Sequence, residues 1–256
     1  MPFNGLVTSV NPTTKESVRA AALDFADRLV PFWRAELGPD LLGVYLMGSL
    51  AHGGFSGRYS DVDVALITER GLPPDLLDRI RTHAVELSAN WGPKLSVFWT
   101  DRHFRLGRFP PLDRIDYLDH AVVLMERDRM RPVRPALQEI QSYLRGAPFS
   151  GWSEQARRFA EAETLAPEDH KAYLRTLLYS ARFCYSWLTG RMGSNDEAVA
   201  SLGKISVAGL DLNLITSALQ CRHADADPDP LFPARTMLPQ QIDACAMLVA
   251  GTDAGN

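Results

Sequence analysis

The chain has 256 residues, of which 46% are hydrophobic and 23% are charged, and it contains three cysteines. This composition is typical of a globular protein with a full hydrophobic core, and it excludes a disordered chain, a collagen-like repeat and a disulfide scaffold. The net charge of −4 argues against a cationic coat for nucleic acids or for anionic membranes, so we expect neither as a partner.

The first half of the chain alternates predicted helices with predicted strands, which is typical of an α/β domain. Residues 1–14 predict a loose leader without the apolar core of a signal peptide, and we expect a cytoplasmic protein. Residues 102–114 are rich in arginine and predict an irregular segment. The periodicity of apolar residues predicts helices over 17–37, 73–90 and 135–144 and strands over 42–47, 61–68, 93–100 and 120–126.

The second half of the chain has a helical pattern. Residues 147–151 contain Pro and Gly and predict a linker. We therefore expect two domains with a cleft between them: residues 1–147 form a short mixed sheet flanked by helices, and residues 148–256 form an all-α helical bundle. The predicted helices of the second domain are 153–163, 170–189, 210–221 and 239–250, with a turn-rich break over 224–233.

One face of the second predicted strand carries two carboxylates. Asp61 and Asp63 are two residues apart, and such residues point to the same side of a strand, whereas Val62 points toward the core. Two like charges this close repel each other unless a cation lies between them. Carboxylate oxygens suit Mg²⁺, which commonly takes one or two carboxylates together with phosphate oxygens. The pair therefore predicts a magnesium site.

A glycine-rich loop precedes this strand. It starts at Gly48 and Ser49 and contains further glycines at Gly53, Gly54 and Gly57. Backbone amides near glycine can approach phosphate closely, and a serine hydroxyl can donate a hydrogen bond. Loop and carboxylates together predict a site for a magnesium-bound nucleoside triphosphate, built without a Walker-type sequence. The alternative interpretation is a surface strand with two solvated aspartates behind an ordinary loop.

Two segments carry a resemblance to known proteins. LMGS, ending at Ser49, and SDVDVALI, beginning at Ser60, resemble the signature of the polymerase-β-type nucleotidyltransferase superfamily. Residues 176–198 resemble the helical domain of streptomycin/spectinomycin-type aminoglycoside adenylyltransferases, where a similar helix runs into a T-G-x-x-x-x-K-D-x-A stretch; here it reads TGRMGSNDEA. The resemblance implies a nucleotidyltransferase fold and transfer of AMP from Mg-ATP to a hydroxyl of a small molecule, an aminoglycoside or aminocyclitol antibiotic, with a part in antibiotic resistance.

The resemblance also implies roles for individual residues. Magnesium is the implied metal and ATP the implied co-substrate, and we expect a cationic acceptor and a monomer or weak homodimer. The implied catalytic residues are Asp61, Asp63 and Asp196, of which Asp61 and Asp63 would hold Mg²⁺ and Asp196 would face the aminoglycoside, and the implied nucleotide-binding residues are Gly48, Ser49, Ser60 and Lys204.

One position departs from the family. The family carries a third carboxylate on its third strand, which helps bind metal and acts as base on the acceptor hydroxyl, but this chain has Ser96 there. A serine cannot accept a proton near neutral pH or act as a charged metal ligand. Three explanations stay open: Asp101 reaches in from the strand's end; Glu161, Glu163 or Asp196 of the helical domain serves as base; or transfer is slow or absent.

Two other functions stay open, the first of them because of Ser96. One is a catalytically degenerate nucleotide-binding homologue, which predicts ATP binding without pyrophosphate release. The other is a nucleotidyltransferase that AMPylates a partner protein, like antitoxin members of the superfamily, which predicts a protein acceptor.

Overall fold

The computed structural model describes residues 12–205 and 207–253. Within these ranges a four-stranded sheet with helices on both faces is followed by a bundle of helices. Most of the predicted leader, residues 1–11, lies outside the described residues, and the first helix already begins at Pro12. The strands are β1 (Leu41–Met47), β2 (Val62–Thr68), β3 (Leu95–Asp101) and β4 (Val122–Glu126), and the helices are α1 (Pro12–Leu37), α2 (Gly48–His52), α3 (Leu76–Leu87), α4 (Pro111–His120), α5 (Leu137–Arg145), α6 (Ala147–Glu161), α7 (His170–Thr189), α8 (Asn195–Leu202), α9 (Leu212–His223) and α10 (Leu238–Asp253).

The sheet brings the predicted motif to one of its ends. Its strand order is β3-β2-β1-β4, with β2 and β3 parallel and β1 antiparallel to both β2 and β4. Met47, the last residue of β1, pairs with Asp63, and Asp63 pairs in turn with Ser96 near the start of β3. The turn after β1 therefore lies beside the beginnings of β2 and β3.

The two faces of β2 have different neighbours. Val62, Val64 and Leu66 are fully buried and pack into a core with α1 and α3, as the alternation predicts. Ala65 and Ile67 point to the opposite face, which α4 covers. Because side chains alternate along a strand, Asp63 shares this second face with α4.

The helical half is organised around α7. This helix has the bounds that the sequence predicts, and its buried side chains join α5, α6, α8, α9 and α10 in one core. It ends at Gly190, whose positive φ of 65° closes the last turn with a hydrogen bond from its N–H to the Ser186 carbonyl. Ser194 and Glu197 then form a capping box that starts α8, a helix the sequence analysis missed.

The predicted linker was wrong. Residues 147–151 begin α6, because Pro148 lies in the first turn, where proline is tolerated, and Phe149 packs against Trp152 and Phe183 at ring-centroid distances of 5.7 and 5.3 Å. Ile140 and Leu144 of α5 already belong to the core of the helical half. The division of the chain after residue 147 stays a prediction.

The predicted fold class is confirmed: a short mixed sheet flanked by helices precedes a helical region. Part of the segment predicted as irregular, residues 102–114, instead belongs to α4, which starts at a pair of prolines, Pro110 and Pro111. None of the helices in the described ranges is long and apolar enough to span a lipid bilayer.

Candidate functional site

A cleft of about 750 Å³ lies between the motif end of the sheet and α7. Five of the seven predicted site residues line this cleft, namely Gly48, Ser49, Ser60, Asp61 and Asp63. The remaining charged residues that line it are Asp113, Asp116, Glu154, Arg108, Lys171, Arg175, Arg182 and Arg222.

The turn after β1 is shaped around Asp63. Gly48 starts the short helix α2 where the sequence predicted a loop, and its φ is +61°. A Cβ atom on Gly48 would lie 2.1 Å from Asp63 Oδ2, so only glycine fits this approach. The Gly48 N–H donates to Asp116 Oδ2 at 2.9 Å. The amide expected at the triphosphate is thus bonded to a carboxylate in this structure.

The two motif carboxylates lie in different surroundings. Burial, followed by the negative charge of Asp61, raises the pKa of Asp63 to about 7, although a hydrogen bond from Ser96 acts in the opposite direction. Asp61 immediately precedes β2, is half-exposed, and accepts a hydrogen bond from Lys171 Nζ of α7 at 2.5 Å. In this structure an ammonium group from the helical half therefore neutralises one member of the pair.

Ser60 connects the glycine-rich loop to the helical half. It is 2% exposed, and its Oγ accepts hydrogen bonds from Ser49 Oγ at 3.0 Å and from the Ser56 N–H at 3.0 Å. Arg222 Nη2 of α9 also donates to it, at 2.7 Å. Burial, followed by the positive charge of Arg182, lowers the pKa of Arg222. Ser60 therefore joins Ser49, the backbone of Ser56 and the buried Arg222 through hydrogen bonds.

Helix α4 adds two carboxylates that the sequence analysis did not predict. Asp113 and Asp116 are three residues apart, so they share one face of the helix. Burial, followed by the charges of Asp116 and Asp63, raises the pKa of Asp113 to about 7. Asp116 is 3% exposed, and its Oδ1 is buried without a hydrogen-bond partner. These residues were missed because no helix was predicted here: Asp113 lies in the segment predicted to be irregular, residues 102–114, and Asp116 lies just after it.

The candidates considered for the third carboxylate lie elsewhere. Asp101 Oδ1 accepts the backbone N–H groups of Arg105 and Leu106, at 2.7 and 2.9 Å, and holds the turn after β3. Glu161 and Glu163 are exposed. None of these three carboxylates is among the residues that line the described cleft.

One face of α7 supplies cations opposite the carboxylates. Lys171, Arg175 and Arg182 follow one another at spacings of four and seven residues, which place them on the same side of a helix. Burial lowers the pKa of Arg182, and its guanidinium contacts the Met192 sulfur at 3.9 Å. The spacing of these three cations could have been recognised from the sequence, because the helix itself was predicted correctly.

Two predicted site residues lie apart from the others. Asp196 accepts a hydrogen bond from His223 Nε2 at 2.7 Å, and it packs against Gly54, where a Cβ atom would come within 2.9 Å of its Oδ2. Lys204 is exposed beyond the end of α8. Neither residue is among those that line the described cleft, so their roles stay predictions.

A separate cluster has the spacing of metal ligands. It consists of His170, Asp227 and Asp229, and the atoms of these three side chains that could bind a metal all lie within 4.8 Å of one another. Arg58 Nη2 lies 2.5 Å from Asp227 Oδ1 and 3.3 Å from His170 Nδ1. A guanidinium group therefore already supplies the positive charge, and we assign the cluster to the contact between the glycine-rich loop and the helical half.

Comparison with solved structures shows the fold. The chain is similar to spectinomycin adenyltransferase AAD(9) from Enterococcus faecialis, solved with ATP and spectinomycin, with a TM-score of 0.63 at 10% sequence identity. The match covers 89% of this chain and 99% of that chain. No protein-family model and no curated protein matches the sequence. The chain therefore shares its fold with this adenyltransferase.

Proposed function

We propose that this protein transfers AMP from Mg-ATP to a hydroxyl group of a small molecule. The observation that carries the proposal is that Asp61, Asp63 and the Gly48–Ser49 turn line the same cleft. The likeness of the whole fold to an adenyltransferase solved with ATP supports it.

The carboxylates fit a divalent cation. Asp63 and Asp113 both have raised pKa values because negative charge has accumulated in a buried place, and Asp116 Oδ1 has no donor. Such groups are stabilised by a cation, and Asp61 and Asp63 would hold it. When bound, Mg²⁺ supplies neutralisation of the negative charge on the phosphate oxygens.

The cations of the helical half suit the triphosphate. Lys171 bonds to Asp61, Arg222 bonds to Ser60, and Arg182 lies near Asp116 and Asp63 without a carboxylate bonded to it in the described structure. Ammonium and guanidinium groups bind phosphate oxygens through charge-assisted hydrogen bonds. We infer that these side chains hold the triphosphate against the turn at Gly48 and Ser49.

The reaction needs orientation and charge stabilisation more than covalent chemistry from the protein. The acceptor oxygen forms a bond to the α-phosphorus, the bond from that phosphorus to the β-bridging oxygen breaks, and pyrophosphate leaves. The proton of the acceptor hydroxyl goes to a carboxylate of the cleft. Asp113 lines the cleft, and burial raises its pKa, so we propose Asp113 as the carboxylate that takes this proton.

We propose an aminoglycoside or aminocyclitol antibiotic as the acceptor. The solved structure with the same fold was determined with spectinomycin, and the chain carries a net charge of −4, which favours a cationic molecule. Glu154 is exposed at the cleft, where it can pair with an ammonium group of such an acceptor.

A second function is favoured by one observation. Ser96 pairs in register with Asp63 at the place where the family has its third carboxylate. A nucleotide-binding protein with degenerate catalysis would show this replacement too, and it would bind Mg-ATP without releasing pyrophosphate.

A screen for pyrophosphate release tests the proposal. We expect ATP-dependent release with streptomycin or spectinomycin, a product whose mass has increased by one AMP, and no release with unrelated alcohols. Calorimetric binding of Mg-ATP without release from any acceptor would favour the degenerate alternative, and AMP transferred to a protein in lysate would favour a protein acceptor. A chain that does not bind Mg-ATP at all would refute both nucleotide-based functions.

Lys171→Ala and Lys204→Ala separate the structural from the sequence-based assignment of the ATP-binding lysine. We expect Lys171→Ala to raise the KM for ATP by about 10-fold or more, the effect of losing a charge-assisted hydrogen bond. The half-exposed ion pair with Asp61 contributes about 0–1 kcal/mol, so thermal stability should change little.

Lys204→Ala is the comparison arm of the same measurement. Because Lys204 is exposed and outside the cleft, we expect its removal to leave the KM for ATP unchanged. The reverse pattern, with a higher KM only in Lys204→Ala, would support the sequence-based assignment and exclude Lys171 from the ATP site.

A further inference from the structure

We propose that Asp116, on α4, supplies the third carboxylate of this site in place of the carboxylate that β3 lacks. The inference rests on the proposed function and names a residue that the resemblance does not imply. It also differs from the explanations that the sequence left open, because α4 itself was not predicted.

In the sheet, Ser96 occupies the place where the third carboxylate is expected. Ser96 of β3 lies directly beside Asp63 in the parallel register, and its hydroxyl acts to lower the pKa of the Asp63 carboxyl. A hydroxyl there supports Asp63 but adds no negative charge. A third charge has to come from another element.

Helix α4 is the element in position to provide it. It covers the face of the sheet to which Asp63 points, and Asp116 lines the cleft together with Asp61 and Asp63. Asp116 Oδ2 accepts the Gly48 N–H at 2.9 Å, which fixes the carboxylate against the same turn that contacts Asp63. The side chain is therefore anchored at the motif rather than free to turn toward solvent.

The other oxygen of Asp116 lacks a partner. Oδ1 is buried and accepts no hydrogen bond, which is costly for a carboxylate that is 3% exposed. The negative charge of Asp116 also acts on both Asp63 and Asp113, whose pKa values are raised. A cation stabilises buried carboxylates that lie close together, and Asp116 Oδ1 is the oxygen that is available to bind it.

A purely structural role is distinguishable from this one. If Asp116 only accepted the Gly48 N–H, a neutral asparagine would do the same through its amide oxygen and would remove the repulsion with Asp63. The charge is needed only if the site holds a cation. The substitution Asp116→Asn therefore separates the hydrogen bond from the charge.

The experiment measures two quantities on wild type and Asp116→Asn. Thermal unfolding without metal reports the fold, and calorimetric binding of Mn²⁺ with α,β-methylene-ATP, which cannot transfer AMP, reports the site. We expect an unfolding temperature equal to or above that of wild type and binding of Mn²⁺ about 10–100-fold weaker, the scale of losing a supporting group at a metal site. Asp119→Asn is the matched control, because Asp119 lies on the same helix and pairs with Arg134 outside the cleft, and it should bind as wild type does.

Each other outcome overturns the inference. Unchanged Mn²⁺ binding by Asp116→Asn would show that its charge is not used, and a clearly lower unfolding temperature without metal would show that Asp116 is structural; the proposed function would survive both. Failure of wild type to bind Mn²⁺ with the nucleotide analogue would instead refute the proposed function and this inference together.

Discussion

Asp63→Asn is expected to reduce AMP transfer by about 10²–10³-fold, the scale of removing one preorganised electrostatic group from an active site. Asp63 lies at the start of β2 between Gly48 and Ser96, and its carboxylate cannot be replaced from a neighbouring position of the strand. Asparagine keeps the shape of the side chain but loses the charge. Steady-state pyrophosphate release measures the effect, and Asp78→Asn on the exposed side of α3 serves as control.

The same variant is expected to be more stable than wild type when metal is absent and the pH is above 7. Burial and the charge of Asp61 raise the pKa of Asp63 from 3.8 to about 7 in the folded protein. Between these values the folded state keeps a proton that the unfolded state has lost, so the free energy of unfolding falls as the pH rises. A rise of this size corresponds to at most about 4 kcal/mol. Asp63→Asn removes this loss of stability, because asparagine does not ionise.

Denaturant unfolding from pH 4 to pH 8 in the presence of a chelator checks the sign. We expect the wild-type free energy of unfolding to decline across this range and that of Asp63→Asn to decline less. Some decline should remain in the variant, because Asp113 also has a pKa raised to about 7 by burial and by Asp116. If the free energies of unfolding of wild type and Asp63→Asn fall equally with pH, then ionisation of Asp63 does not destabilise the folded protein.

Local patterns predicted the parts of the site that lie close together in sequence. Strict alternation in β2 placed Val62 in the core and put Asp63 on the opposite face, and the structure has this arrangement. The Gly48–Ser49 turn follows β1 directly, and antiparallel pairing then brings it beside Asp63. Helix α7 was predicted with its observed bounds, because its long apolar pattern is bracketed by a polar start and by Gly190.

The sequence patterns missed the starts of two helices that contain proline in the first turn. Pro148 was treated as part of a linker, and Pro111 lies in the segment that its arginines predicted to be irregular, but each proline lies in the first turn of a helix. At that position a missing N–H removes no helical hydrogen bond, so proline starts a helix as readily as it ends one. Losing α4 in this way also hid Asp116, since its spacing from Asp113 has meaning only on a helix.

Contacts between distant segments were also beyond the sequence. Lys171 is 110 residues from Asp61, and Arg222 is 162 residues from Ser60, yet both pairs form hydrogen bonds. Spacing along the chain carries no information about such pairs. The resemblance pointed to Lys204 instead, which is exposed at the end of α8. The cations of the cleft could therefore be found only from the hydrogen bonds that α7 and α9 make with the residues just before β2.

Gly48→Ala is expected to damage both stability and transfer. The residue has a φ of +61°, a conformation that costs a residue with a Cβ about 1–2 kcal/mol. Its new Cβ would also lie 2.1 Å from Asp63 Oδ2 and 2.9 Å from Asp63 Cγ, so the carboxylate has to move. We expect a lower unfolding temperature and a loss of pyrophosphate release comparable to that of Asp63→Asn.

Gly38→Ala isolates the backbone contribution, because Gly38 has a φ of +50° and a Cβ there would meet no atom within 4 Å. It precedes β1, so it should show the loss of stability without the loss of transfer. The difference between the two variants then measures what the displacement of Asp63 costs the reaction. Equal transfer by Gly48→Ala and Gly38→Ala would mean that the close approach of the turn to Asp63 is not needed for catalysis, and that Asp63 acts from a position other than the one observed.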